Sequence, residues 1–331
     1  MGKIDISRAT RPTRGRVGGS DRDRAARFSG RMPPAAKRSV FLRMQVLLPM
    51  RTPPVNPTRT EISDPAEMSA QLKAMASEMG ADVVGIADLD PNLVFTQAGD
   101  LKHRHALVYG IGMSYDNMAD IGPRSQDEVH RVYYKLDELG VRLAHRIAAY
   151  GYAASMQPNE GDVPLVALAA QAGLGELGKH GSLISPVLGS SFRLGAVTTD
   201  MPLTADGPAD SGIDEVCMKC GVCTRFCPGD AIKPAKKEVN GVTRWHVDTP
   251  ACEPWFHKLY GCKICLMVCP LNSRGLFGAD FKRAAKILVK TRDARGMLRL
   301  LEERTDMHYE DFEAGSNAQD GQAMDRGNRK G

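Results

Sequence analysis

Eight cysteines, all between positions 217 and 269, constrain this chain more than any other feature. Cys217, Cys220, Cys223 and Cys227, followed by Pro228, spell Cys-x2-Cys-x2-Cys-x3-Cys-Pro without a gap, the spacing that wraps thiolates around a cubic 4Fe-4S cluster. Cys252, Cys262, Cys265 and Cys269, followed by Pro270, repeat the pattern with its first interval stretched to nine residues. Tight spacing lets successive backbone turns aim thiolates at a compact cube, and each proline ends its run by withholding an amide and fixing the turn. Two other readings are weaker. Structural zinc takes pairs of closely spaced cysteines rather than three in seven residues plus a fourth and a proline, and a disulfide framework belongs to small secreted domains.

The rest of the chain divides by charge and periodicity. Residues 1–60 hold 14 Lys and Arg against 3 Asp and Glu, so the net +5 of the chain is +11 here and −6 elsewhere. This stretch is rich in Arg, Pro, Gly and Ser without apolar periodicity, and a disordered basic tail is expected. It lacks interleaved aromatics or a recognisable module, so nucleic acid is an unlikely partner. Lys37 to Arg43 is faintly similar to a twin-arginine export signal, but the apolar region that should follow stops at Pro49 and Arg51, and the expected location is cytoplasmic. No run of about 18 apolar residues occurs, so no membrane-spanning helix is expected.

From residue 61 to 210 strands and helices alternate, implying an α/β (α+β) architecture. Asp64 caps a helix beginning at Pro65 and ending near Gly80, residues 81–87 and 106–113 read as buried strands, and Ser125 with Glu128 forms a capping box for a helix closed by Gly151. A helix over residues 164–172 and a strand over residues 192–198 follow. Gly173-Leu174-Gly175-Glu176-Leu177-Gly178 matches the dinucleotide fingerprint, yet a helix rather than a strand precedes it, so a Rossmann site is rejected. Residues 211–278 form the loop-rich cysteine module, residues 279–312 a C-terminal helix, and residues 313–331 a polar, disordered tail.

The strands around Gly85 and Gly110, the segment Ala172 to Ile184, Phe192-Arg193-Leu194, the segment Thr199 to Leu203 and the double cysteine run together resemble the cobalamin-dependent reductive dehalogenases, over roughly residues 65–275. The resemblance implies a nitroreductase-like corrinoid-binding domain followed by a bacterial-ferredoxin-type module. It implies base-off cobalamin, two 4Fe-4S clusters, a small organic substrate such as an organohalide, and an external electron donor such as a ferredoxin or flavodoxin. As in two-cluster ferredoxins, the last cysteine of each run would cross to the other cluster. Cys217, Cys220, Cys223 and Cys269 would then hold one, and Cys227, Cys252, Cys262 and Cys265 the other. Tyr133 is implied as the proton donor, Arg193 as the basic residue that helps it release its proton, and Asn159 as a pocket-lining residue. Gly173, Gly175, Glu176, Gly178 and Lys179 are implied among the cofactor-binding residues.

The chain is also similar in outline to epoxyqueuosine reductase. Those enzymes look like Gly-Leu-Gly-Trp where this chain has Glu176, and their proton-donating Asp falls on Gly161, with Asp162 one position out of register. Two alternatives to dehalogenation therefore stand: reduction of epoxyqueuosine in tRNA, and electron transfer by a dicluster protein with no substrate of its own. The roughly 150 ordered residues before Cys217 exceed what a dicluster carrier needs.

Overall fold

The computed structural model describes residues 6–13, 32–120, 122–269 and 271–272. The C-terminal helix and tail expected over residues 279–331 lie outside the described residues, as do residues 1–5 and 14–31 of the basic segment.

Four strands form one mixed-length sheet in the order β1-β2-β6-β3: β1 (Val83–Asp88), β2 (His105–Gly112), β3 (Ala154–Gln157) and β6 (Phe192–Thr199), while β4 (Glu176–Leu177) and β5 (Leu183–Ile184) pair with each other. Every pairing in the four-stranded sheet is antiparallel, so the architecture is the α+β form of the expected class. β2 is buried on both faces, which accounts for its unbroken apolar run. Leu107 and Tyr109 point toward helices α2 (Pro65–Glu78) and α4 (Pro123–Ala149), with Ile86 and Val197 beside them; the short α3 (Tyr115–Ala119) lies between the two in sequence. Ala106 and Val108 point the other way, toward α5 (Leu165–Gln171), with Ala87 and Ala196. The small residues on that second face let α5 approach closely: a Cβ at Gly85 would lie 2.3 Å from the Ala172 carbonyl oxygen.

Asp64 caps α2 as its residue type predicts, accepting from the amides of Ala66 and Glu67. The capping box at Ser125 does not form. α4 starts at Pro123, two residues earlier, and Asp120 accepts from the amides of Gly122 and Arg124. Ser125 instead donates back to the Gly122 carbonyl, and Glu128 turns to Arg131 and the Ser114 amide.

A second correction concerns the basic segment. Its described residues are not a disordered tail. Pro34–Leu42 form helix α1 against α4, followed by a π-helical turn over Arg43–Leu47. The Ala36 amide donates to Asp127, Arg43 pairs with Asp137, Leu47 packs on Val141 and Met156, and the Asn56 and Thr60 amides bond the carbonyls of Ala148 and Tyr150. Even Arg11 donates to the carbonyls of Val94, Phe95 and Gly99. Ion pairs and backbone hydrogen bonds to the body order this segment, and neither leaves an apolar period to read.

After β6 the chain enters the cysteine module: short helices α6 (Ile213–Lys219), α7 (Val222–Phe226) and α9 (Ile264–Met267), the ten-residue α8 (Thr249–Lys258), and a hairpin of β7 (Lys237–Val239) and β8 (Val242–Arg244). The stretched interval between Cys252 and Cys262 is occupied by the rest of α8 and a sharp turn in which Tyr260 and Gly261 both have positive φ.

Candidate functional site

Cys217, Cys220, Cys223 and Cys269 line one hollow, together with Lys179, His180, Val216 and Leu271. α6 presents Cys217, α7 presents Cys223, and Cys220 lies at the C-terminal end of α6. Burial, followed by the fields of Cys217, Cys269 and Cys220, pushes the Cys223 thiol up to about 12. Cys227, Cys252, Cys262 and Cys265 form the second set: burial with the neighbouring thiols pushes Cys262 up to about 12 and Cys252 up to about 11. Cys265 is raised well above the usual thiol range by burial and by Cys262, Cys227 and Cys252. Thiols so crowded give up their protons together only when metal cations share the charge. Among the described residues no three His, Cys, Asp or Glu side chains meet tightly enough to clasp a single ion; the first thiol set instead surrounds a hollow, as a four-iron cube requires. The donor chemistry, four thiols in each set, fits 4Fe-4S clusters.

The segment 173–179 braces this module. Glu176 is 4% exposed and its carboxylate accepts from the amides of Ser211, Ile213 and Asp214, capping α6 and so fixing Cys217. Lys179 donates to the Cys220 carbonyl at 2.7 Å and lies 4.9 Å over the ring of buried Trp245, whose indole N–H donates to Asp214. The glycines serve close packing within the chain. A Cβ at Gly175 would lie 2.1 Å from the Ile184 carbonyl oxygen and one at Gly178 would lie 2.6 Å from the Ile184 side chain, while Gly173 takes φ +72 at the end of α5. The space beside Gly175 and Gly178 is thus taken by Ile184, and Glu176 and Lys179 act on the cysteine module.

Tyr133, Asn159 and Arg193 come together from three elements. Tyr133 on α4 donates its hydroxyl to Asn159 Oδ1 at 3.0 Å, and the Arg193 guanidinium carbon on β6 lies 5.6 Å from the Tyr133 ring centroid. Neighbouring Tyr134 turns to Glu138 instead. Two residues join this site without any sequence signal. Arg43 lies 4.8 Å over the same ring, and His130, one turn before Tyr133, meets it edge-on at 6.2 Å. Burial, then the cations Arg43, Arg193 and Lys263, hold His130 down at about 4, so its ring is neutral near pH 7. His130 Nδ1, Ser191 Oγ and Arg193 Nε are buried with no hydrogen-bond partner among the described residues, which leaves polar capacity for a bound group.

The site abuts the second thiol set. Lys263, next to Cys262, is buried and donates to Ser125 Oγ and the Tyr260 carbonyl. Burial pulls its ammonium down to about 7, with Cys262 opposing and Arg193 adding to the pull. Ser190, three residues before Arg193, donates to the carbonyl of Leu266, the residue after Cys265.

Three comparisons bear on this arrangement. Residues 216–273 match the model of the 4Fe-4S dicluster domain. Tetrachloroethene reductive dehalogenase of Desulfitobacterium hafniense is 28% identical over 237 residues, 67% of this chain and 42% of that protein. Epoxyqueuosine reductase of Lactococcus garvieae is 31% identical over 188 residues, covering 50% and 51% of the two chains. A solved reductive dehalogenase, whose structure suggests a mechanism for B12-dependent dehalogenation, superposes with a TM-score of 0.72 at 24% identity, over 91% of this chain and 47% of that one. The chain spans about half the length of the curated relatives it matches. It is thus related to reductive dehalogenases and epoxyqueuosine reductases, shares the reductive dehalogenase fold, and carries a domain for two 4Fe-4S clusters. No helix among the described residues is long and apolar enough to cross a membrane.

Proposed function

We propose that this chain is an iron–sulfur reductase that works with a corrinoid and replaces the halogen of a small organohalide by hydrogen. The observation that carries the reading is the convergence of Tyr133, Asn159 and Arg193 beside the loop that bears Cys262 and Cys265. The overall change takes two electrons and one proton and releases halide; each cluster is a one-electron carrier. Electrons would come from an external carrier such as a ferredoxin or flavodoxin, through the two thiol-bound clusters.

The polar face formed by Tyr133, Asn159, Ser191 and Arg193 suits a corrinoid, because Ser191 Oγ and Arg193 Nε are buried there without hydrogen-bond partners among the described residues. A corrinoid held there would supply a low-potential metal centre for cleaving the carbon–halogen bond. The protein's own part is proton delivery. Asn159 fixes the Tyr133 hydroxyl, Tyr133 gives its proton from Oη to the carbon that loses halide, and Arg193 stabilises the phenolate that remains. Neutral His130 borders Tyr133 and adds no competing charge.

Protein purified without oxygen from cells supplied with cobalamin should contain about eight iron atoms and one cobalt per chain. It should release halide from halogenated aromatics or alkenes in the presence of a low-potential reductant. Iron without cobalt would reduce the reading to an electron carrier. A cobalt-loaded protein that restores queuosine to the tRNA of a deletion strain would replace it with epoxyqueuosine reduction, which the 31% identity to that enzyme supports.

A further inference from the structure

We propose that Arg43 is a positioning residue for Tyr133, so that the basic segment ahead of the sheet completes the active site. The inference rests on the reading of Tyr133 as the proton donor. Arg43 begins the π-helical turn that follows α1, an irregularity that turns a side chain out of the ordinary helical row and recurs at functional sites. Its guanidinium carbon is closer to the Tyr133 centroid than that of Arg193, 4.8 Å against 5.6 Å. The contact is not a loose surface stacking. Arg43 Nε donates to Asp137 Oδ2 at 2.7 Å, and the two side chains are only 12% and 3% exposed.

Asp137 stands four residues after Tyr133 on α4, one turn along the same face. The helix that carries the phenol therefore also carries the clamp for the guanidinium lying over it. Arginine suits this task where lysine does not, because its planar group can bond a carboxylate along one edge while its face rests on an aromatic ring. The ring becomes anionic when Tyr133 releases its proton, and two guanidinium groups supplied by segments 150 residues apart in sequence then stand 4.8 and 5.6 Å from its centroid. The attraction strengthens as the proton leaves, which is the form of interaction that lowers a barrier rather than merely binding substrate. Asp137 holds Arg43 over the ring without occupying the Tyr133 hydroxyl, which stays with Asn159.

The test is a double-mutant cycle in cluster- and corrinoid-loaded enzyme: parent, Arg43→Gln, Tyr133→Phe and the double variant, with kcat and KM determined separately. Arg43→Gln is expected to lower kcat by about tenfold with KM within about twofold, and to cost nothing further once Tyr133 is Phe. Arg43→Lys should recover only part of the loss. Ultraviolet resonance Raman, taken as the difference from Tyr133→Phe, should show the Tyr133 ring modes shifted in Arg43→Gln at unchanged iron content. An equal fractional loss in both backgrounds, or unshifted ring modes, overturns the inference. Should Arg43→Gln fail to fold, the same cycle with Arg43→Lys decides on the same criteria. A Tyr133→Phe variant as active as the parent would instead bring down the proton-donor reading on which the inference stands.

Discussion

The cysteine module and the Tyr133 site place reactive groups by different means. Eight thiols within 53 residues are brought into two sets by short helices and turns, so chain spacing does most of the work. Arg43, Tyr133, Asn159 and Arg193 stand at least 26 positions apart, and only the docking of α1, α4 and β6 unites them. A site coded by spacing tolerates a rearranged scaffold, whereas a site coded by docking fails when one element shifts by an ångström. The module is nevertheless not self-sufficient: Glu176 and Lys179, from outside it, hold the helix and carbonyl that set Cys217 and Cys220.

The strongest way to break the comparison is to remove a thiol. Cys265→Ser should eliminate the second cluster, reduce iron to about four per chain and abolish turnover, while the first cluster keeps its electron paramagnetic resonance signal. Loss of both signals would mean that the two sets form one cooperative unit. Tyr133→Phe should leave both signals and the iron content intact, yet lower the rate of halide release by roughly 10²- to 10⁴-fold. If iron also falls, the site and the module are structurally inseparable.

A smaller effect separates bracing from ligation. Glu176→Ala strips a buried carboxylate from three amide donors and should destabilise the fold by about 2–4 kcal/mol in denaturant titrations, with the first cluster lost before the second. Equal loss of both clusters would show that Glu176 supports the whole body. The smallest effect concerns pH. His130 is held at about 4 in the folded protein against 6.5 as a free side chain, so the unfolded chain binds its proton first as pH falls. Its contribution to stability is therefore complete above about pH 6.5 and declines toward pH 4. His130→Gln should flatten the stability profile across that window by roughly 1–3 kcal/mol, read as the difference in melting behaviour from the parent. An unchanged slope would place His130 in water rather than among the cations.

Legibility in the sequence followed the same division. The cap at Asp64, the buried strands, the helix ending at Gly173 and both cysteine runs follow from local propensity and spacing, and the structure has them within a residue or two. Ser125 misled because the helix already begins at Pro123, where Asp120 takes the amides of Gly122 and Arg124 from outside the four-residue box. Residues 32–60 misled because their order comes from partners 90 or more positions away, such as Asp127 for Ala36 and Asp137 for Arg43. The Gly-x-Gly-x-x-Gly run had a structural explanation that no motif states: close backbone approach beside a carboxylate that caps a cluster-bearing helix.

Taken by itself, the sequence determined the metal chemistry, because the geometry of a thiolate-bound cube is written in intervals of two and three residues. It also determined the alternation of helix and strand, because burial on a sheet face and on a helix stripe leaves distinct periods. Only the tertiary structure decided that the sheet is antiparallel, that Glu176 and Lys179 serve the cysteine module, and that Arg43 and His130 surround Tyr133. Hydrogen bonds, ion pairs and cation–ring contacts act through space between residues that no period connects, so their partners become definite only when the chain has closed upon itself.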